Sequence, residues 1–228
     1  MRERQITVAA MGYFQPILDL CERLTLRPPT TVAASRVTHF ENGYSLSIVL
    51  LSVVMLEALI GRVSDLQTRL GAKGKANTSR LSVPDYIAGL RRSFKLKKSL
   101  TEVFVLRDAI AHGHVWSLEV SGHAKHGSVL HSAKLGAAYG DKKFCDRVNL
   151  RTRRTRALGL HVVPSAVSRK EVIKVLDVIR RTLMFLEHNK LIESNVTRYH
   201  GRLRGKPFEF WDIIDVLIDS SQQCPRLG

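Results

Sequence analysis

No run in this chain limits its fold more than Tyr44–Ile60, YSLSIVLLSVVMLEALI. Glu57 is its only charged residue. Ile48, Leu51, Met55, Leu59 and Val63 recur at three- and four-residue spacing, so the run belongs to a helix predicted over about 42–70. Apolar residues on nearly every side of a helix require other elements to wrap it, which makes this the central helix of a bundle. The run is short for a membrane span and carries Ser45, Ser47 and Ser52. A core helix is therefore expected, and no membrane partner.

The rest of the chain supplies the wrapping. A helix is predicted from about Val8 to Leu26, with Tyr13, Ile17, Leu18, Cys21 and Leu24 on one face, stopped by Pro28-Pro29. Gly71-Ala72-Lys73-Gly74-Lys75 ends the central helix. Ser82-Val83-Pro84 opens a third helix that runs to about Phe94, and a fourth covers about Ser99–His112 before Gly113. Ser168 and Glu171 form a capping-box start. The helix behind them reaches about His188 with Val172, Ile173, Leu176, Ile179, Leu183 and Leu186 facing the core. A last short helix is expected over Phe208–Ile218, within a helical extension at about 190–228. Between Val115 and Pro164 the pattern changes. Val115–Val120 alternates like a strand, and Phe144–Leu150 and Ala157–Val163 are expected to be further strands. These pieces read as an extended insert or β-hairpin at about 115–164. The fold expectation is one mainly α domain spanning residues 1–228.

Charge narrows the partners. Lys and Arg number 36 against 20 Asp and Glu, a formal net charge of +16. A field of that sign and size attracts polyanions, and RNA is the expected partner. Cys21, Cys145 and Cys224 form no CxxC pair, which argues against a disulfide framework and a zinc site. No apolar leader follows Met1–Gln5, so a cytoplasmic location with reduced thiols is expected. Walker, GxGxxG, HExxH and GxSxG motifs are absent, and His123, His126 and His131 make a poor metal set. Neither a metal nor a cofactor is expected.

The chemistry is expected at Arg107-Asp108-Ala109-Ile110-Ala111-His112. Cleaving RNA without a metal needs a base for the ribose 2′-hydroxyl, an acid for the leaving 5′-oxygen and a cation for the phosphorane. Histidine serves the first two because it titrates near neutrality. Arginine serves the third, because its planar fork matches phosphate oxygens. On an ideal helix Arg107 and His112 lie roughly 140° apart, whereas Asp108 and His112 are an i,i+4 pair. Asp108 is thus placed to orient the imidazole.

The string Phe104-Val105-Leu106-Arg107-Asp108-Ala109-Ile110-Ala111-His112-Gly113-His114 resembles the signature of the HEPN family (higher eukaryotes and prokaryotes nucleotide-binding domains). That signature is an arginine, a polar residue after it and a histidine a few residues on; Arg107, Asp108 and His112 match it. The match is close over this string and diffuse over the helical part of the chain. The resemblance implies an HEPN-like bundle of four to five helices. It also implies a metal-independent endoribonuclease that leaves a 2′,3′-cyclic phosphate. Two chains would pair so that two motifs form one cleft. A toxin or antiviral defence role is implied, with an antitoxin or defence-system protein as partner. The alternative it allows is a non-catalytic RNA-binding or assembly module of a defence complex. Many members carry a glutamate on the long apolar helix before the motif, the position of Glu57 here.

Glu57 itself admits two readings: an orienting role at the site, or a core ion pair with an arginine such as Arg107. His114 next to Gly113 reads as incidental, and Trp116 as packing. The densest basic run holds Arg147, Arg151, Arg153, Arg154 and Arg156, and is expected to be an exposed hairpin that contacts RNA. Arg91, Arg92, Lys95, Lys97 and Lys98 form a second basic cluster. Arg198, Arg202, Arg204 and Lys206 form a third.

Overall fold

The computed structural model describes residues 9–26, 29, 37–69, 82–111, 116–123, 127–135, 142–192 and 196–222. The protein is mainly helical. Its axis is α2, His39–Arg69, which packs against α1 (Phe14–Thr25), α4 (Lys97–Ala111) and α6 (Arg169–His188). Ile48, Val49, Val53, Met55, Leu56, Leu59, Ile60 and Val63 of α2 are buried in one core with residues from all three. By length and composition the stretch His39–Asp65 would suffice to cross a membrane, and half of its most apolar window is buried inside the protein. The expected central helix is present.

The helices form where local chemistry favours them. α1 follows a 3₁₀ turn over Ala9–Tyr13 and buries Phe14, Ile17, Leu18, Cys21 and Leu24, the spacing of one helical face. Burial of Cys21 pushes its thiol well above the ordinary range, which leaves it unreactive. α6 starts as expected: Ser168 Oγ accepts from Lys170 N–H, and Glu171 Oε2 accepts from Ser168 N–H at 2.9 Å.

α3 is shorter than expected, Val83–Leu90, because Arg91 turns to an extended conformation. Phe94 lies past the helix end yet is buried, its ring 5.0 Å from that of Phe185.

Two strand expectations need correction. Phe144 belongs to a short helix, α5, Lys142–Arg147, and only Val148–Asn149 is a strand. Ala157–Val163 is irregular apart from a single bridge between His161 and Arg154. Alternation of apolar residues does not choose between strand and loop when the backbone amides have side-chain acceptors, as they do there. β1 (Trp116–His123) pairs antiparallel with β2 (Gly127–Leu135), as the insert reading expected, with a bulge after Glu119. β3 (Val148–Asn149) pairs with β4 (Arg154–Thr155).

A third hairpin was not foreseen. β5 (His200–Leu203) and β6 (Lys206–Glu209) place Phe208 in a strand, and the last helix, α7, runs Ile213–Gln222 behind a 3₁₀ turn. The C-terminal part is therefore a hairpin followed by a helix, not a purely helical extension. Arg204 and Gly205 at its turn both adopt positive φ, 51° and 74°, as a two-residue hairpin with native twist requires.

One buried cation ties the ends of the helices together. Arg169 is 1% exposed. Its guanidinium donates to Leu24 O and to Ser220 O at 2.9 Å, carbonyls in the last turns of α1 and α7. Its backbone N–H donates to Glu41 Oε1, at the start of α2. Those carbonyls belong to the negative C-terminal ends of their helices, so a cation suits them. Desolvation still lowers the Arg169 pKa, and Glu41 works against that shift.

Candidate functional site

Arg107 stands in the last described turn of α4. Its Nη2 donates to Glu57 Oε1 of α2 at 2.7 Å. Its Nε lies 3.3 Å from Asp108 Oδ1, close enough for an ion pair but not aligned as a hydrogen bond, and that buried Nε has no hydrogen-bond partner among the described residues. The guanidinium carbon sits 5.3 Å from the centroid of the Phe104 ring, within cation–π range. Arg107 is thus held on three sides, between a carboxylate of α2, the next residue and a ring one turn back. The sequence had proposed a core arginine, Arg107 among them, as the partner of Glu57, and the two are joined. Both side chains are partly exposed, 24% for Arg107 and 36% for Glu57, so a ligand has access to them.

His112 follows Ala111 directly and lies outside the described residues, as do His114 and the side chain of Trp116. Whether Asp108 orients His112 is likewise outside what is described. The side chains of His123 and His131, and all of His126, are outside it too.

Arg107 carries five N–H donors, and Glu57 takes one. The remaining fork is preordered, which reduces the entropy lost on gripping a phosphate. The two neighbouring carboxylates also cancel part of its field, so phosphate binding there benefits from additional cations.

The arginines of the insert have a different arrangement from the exposed hairpin expected. Only Arg151 and Arg156 are exposed; Arg147, Arg153 and Arg154 are half-buried. Arg154 turns inward, donating to Gly159 O at 2.8 Å and lying 3.7 Å from Glu171 Oε1, so it braces the fold. Arg153 adopts φ 57°, a left-handed conformation that costs free energy in a residue with a side chain. Asn149 Oδ1 accepts from the N–H groups of Arg151 and Thr152 and shapes the turn between β3 and β4.

This turn is built onto the motif helix. Val105 and Ala109 of α4 share a small second core with Phe144, Val148, Val162 and Val163. Glu102, one helical face with them, is 1% exposed. Its two carboxylate oxygens accept from Ala157 N–H at 2.8 Å and Leu158 N–H at 2.7 Å. From α6, Lys174 Nζ donates to Leu158 O at 2.8 Å. Reading the sequence missed Glu102. The available signal was the one that singled out Glu57, a carboxylate inside an apolar run (Leu100, Val103, Phe104, Val105, Leu106) that needs a partner.

His161 sits beneath the turn. Its burial, then Arg154, pulls its pKa down to about 4; Glu171 opposes this, and Arg153 and Lys174 add to it. The imidazole is therefore neutral near pH 7. Its Nδ1 is buried without a partner among the described residues.

The second basic cluster is exposed at Arg91, Arg92, Lys95, Lys97 and Lys98, with Lys97 paired to Asp85 at 3.0 Å. It lies at the opposite end of α4 from Arg107. The third is exposed on the β5–β6 hairpin and just before it.

Comparison with family models, with curated proteins and with solved structures finds no match to this chain.

Proposed function

We propose that this chain is a metal-independent endoribonuclease of the HEPN type, acting as a toxin or antiviral effector. The observation that carries the reading is Arg107, preordered by Glu57 within an Arg-x4-His string at the end of α4. His112 is the general acid and base, Arg107 the phosphate clamp, Asp108 the residue that orients His112, and Glu57 the residue that orients Arg107. Attack of the ribose 2′-oxygen on phosphorus expels the 5′-oxygen and leaves a 2′,3′-cyclic phosphate. The 2′-proton passes to one histidine, and a second histidine protonates the leaving oxygen.

Two proton carriers call for two chains. Consistent with pairing, α2 exposes apolar side chains on one side among the described residues. Phe40 is 62% and Val54 37% exposed, and Gly43 and Gly61 on the same side have open space around them. Val54→Glu is expected to leave a folded monomer by light scattering and to abolish cleavage.

The deciding experiment incubates the protein with total RNA in excess chelator. Cleavage that disappears in both Arg107→Ala and His112→Ala supports the reading, and cleavage unchanged in either variant overturns it.

A second reading is favoured by the same ion pair. Glu57–Arg107 joins α2 to α4 across 50 residues of sequence, so the motif could serve structure in a non-catalytic RNA-binding or assembly module. In that case Arg107→Ala lowers the melting temperature by several degrees and wild-type protein binds RNA without cutting it.

A further inference from the structure

The buried carboxylate of Glu102 has no part in the reading above, and its geometry is unusual for a helix residue. It is closed off from water, and it meets two consecutive backbone N–H groups rather than a basic side chain. A carboxylate offers acceptors only, so it suits two adjacent donors in a way that an amide cannot. Such charge-assisted bonds are short and strong, and they offset the cost of burying the charge. Nature of the partner matters here: Ala157 and Leu158 directly follow Arg156, one of the two exposed arginines of the turn.

The rest of the loop is held with the same thoroughness. Lys174 takes Leu158 O, Arg154 takes Gly159 O, and Thr155 Oγ1 accepts from Leu160 N–H at 2.9 Å. Gly159 turns at φ 63°, which a glycine tolerates. The loop is thereby fixed against α4 and α6. Along α4, Glu102 precedes Arg107 by five residues, about 7.5 Å of axial rise and roughly 140° of rotation, so Arg107 faces α2 while Glu102 faces the loop.

We infer that Glu102 is a positioning residue. By holding the Ala157 and Leu158 amides it fixes the arginine turn against α4, so that Arg151 and Arg156 meet an RNA strand as a preordered pair. The inference rests on the RNA-binding part of the reading above.

The test uses the full chain and a single-stranded RNA oligonucleotide with methylated 2′-hydroxyls, which binds but cannot be cut. Affinity is measured by fluorescence anisotropy across a salt series for wild type, Glu102→Gln, Arg151→Ala/Arg156→Ala, and the combination. Glu102→Gln keeps the shape but turns a donor toward a backbone N–H, so it releases the loop with little change in volume. We expect it to fold, by circular dichroism, and to bind about tenfold more weakly, with a salt slope shallower by roughly one. We further expect the arginine substitutions to add little in that background, because both changes remove the same contacts. A purely structural role would lower the melting temperature but leave the arginine effects fully additive. Full additivity, an unchanged salt slope in Glu102→Gln, or no RNA binding by wild type would overturn the inference. Should Glu102→Gln fail to fold, Ala157→Pro removes one of the two donors from the loop side and is expected to reproduce the same non-additivity. Loss of coupling is read from binding, and cutting from the chelator assay. Non-additive binding by a protein that never cuts RNA would therefore sink the nuclease reading and leave Glu102 in place.

Discussion

Two basic hairpins look alike in the sequence and are used differently by the fold. The arginine turn, β3 to β4 and the loop after it, is fastened to α4 by a buried carboxylate and to α6 by Lys174. The β5–β6 hairpin is fastened to α1 by Gln15, whose side-chain amide bonds both N–H and C=O of Arg202, at 2.8 and 2.9 Å, and by Glu22, which accepts from Arg204 N–H. Each turn carries an arginine in left-handed conformation, Arg153 and Arg204. The difference lies in the mooring: a charge removed from water on one side, surface side chains on the other. Only the first mooring is on the helix that bears Arg107. What a basic string can do thus depends on which helix it is tied to.

That contrast can be broken from the hairpin side first. A methyl group added at Gly201 would sit 2.4 Å from Leu18 Cδ1 and 2.8 Å from Gln15 Oε1. Leu18 is fully buried and Gln15 is committed to Arg202, so neither yields easily. Gly201→Ala is expected to cost about 1–3 kcal/mol in a denaturant melt, with RNA affinity unchanged at fixed folded fraction. A loss of RNA affinity there would give the two hairpins one shared role.

Affinity tests the contrast directly. Arg151→Ala/Arg156→Ala should weaken RNA binding about tenfold and lower the salt slope by roughly 1.5, as two lost phosphate contacts on a single strand would. Arg202→Ala/Arg204→Ala should change affinity less than threefold, about half a kcal/mol. The reverse order would move the RNA surface to the α1 side.

pH offers a further handle on the arginine turn. His161 titrates near 4 when folded and near 6.5 when free. Between those values the unfolded chain takes up a proton that the folded chain refuses, so stability falls as pH drops from about 6.5 to about 4. Urea melts of His161→Gln should show a flatter dependence over that window. An unchanged slope would mean that the imidazole is not the group responsible.

The smallest effect concerns the two left-handed arginines. Arg204→Gly relieves an unfavourable φ at an exposed turn and should raise stability by about 0.5–1 kcal/mol in a thermal melt. Arg153→Gly should gain less or nothing, because its half-buried side chain is lost as well. Equal gains would mean that the Arg153 side chain contributes nothing to the turn.

The helices were legible because their determinants are local. The face of α1, the capping box of α6 and the apolar girth of α2 are contacts or spacings within a few residues. Glu57 could be matched to Arg107 from charge logic, since a carboxylate in an apolar run needs a cation. Glu102 obeys the same logic but escaped, because its partners are backbone amides, which every residue has and no sequence pattern marks. The split of the five arginines was equally hidden: Arg154 differs from Arg156 only in where Gly159 O and Glu171 lie.

Residue order alone therefore dictated a mainly helical chain around an apolar axis, a strongly cationic surface and an Arg-x4-His string. Folding in three dimensions decided which arginines face water, which helix the basic turn rides on, and how Arg107 is held. The reason is physical. Periodicity and caps act across one or two turns, whereas Glu57–Arg107, Glu102–Ala157 and Arg169–Leu24 close distances of 50, 55 and 145 residues. Bonds of that reach exist only once the core has brought the helices together.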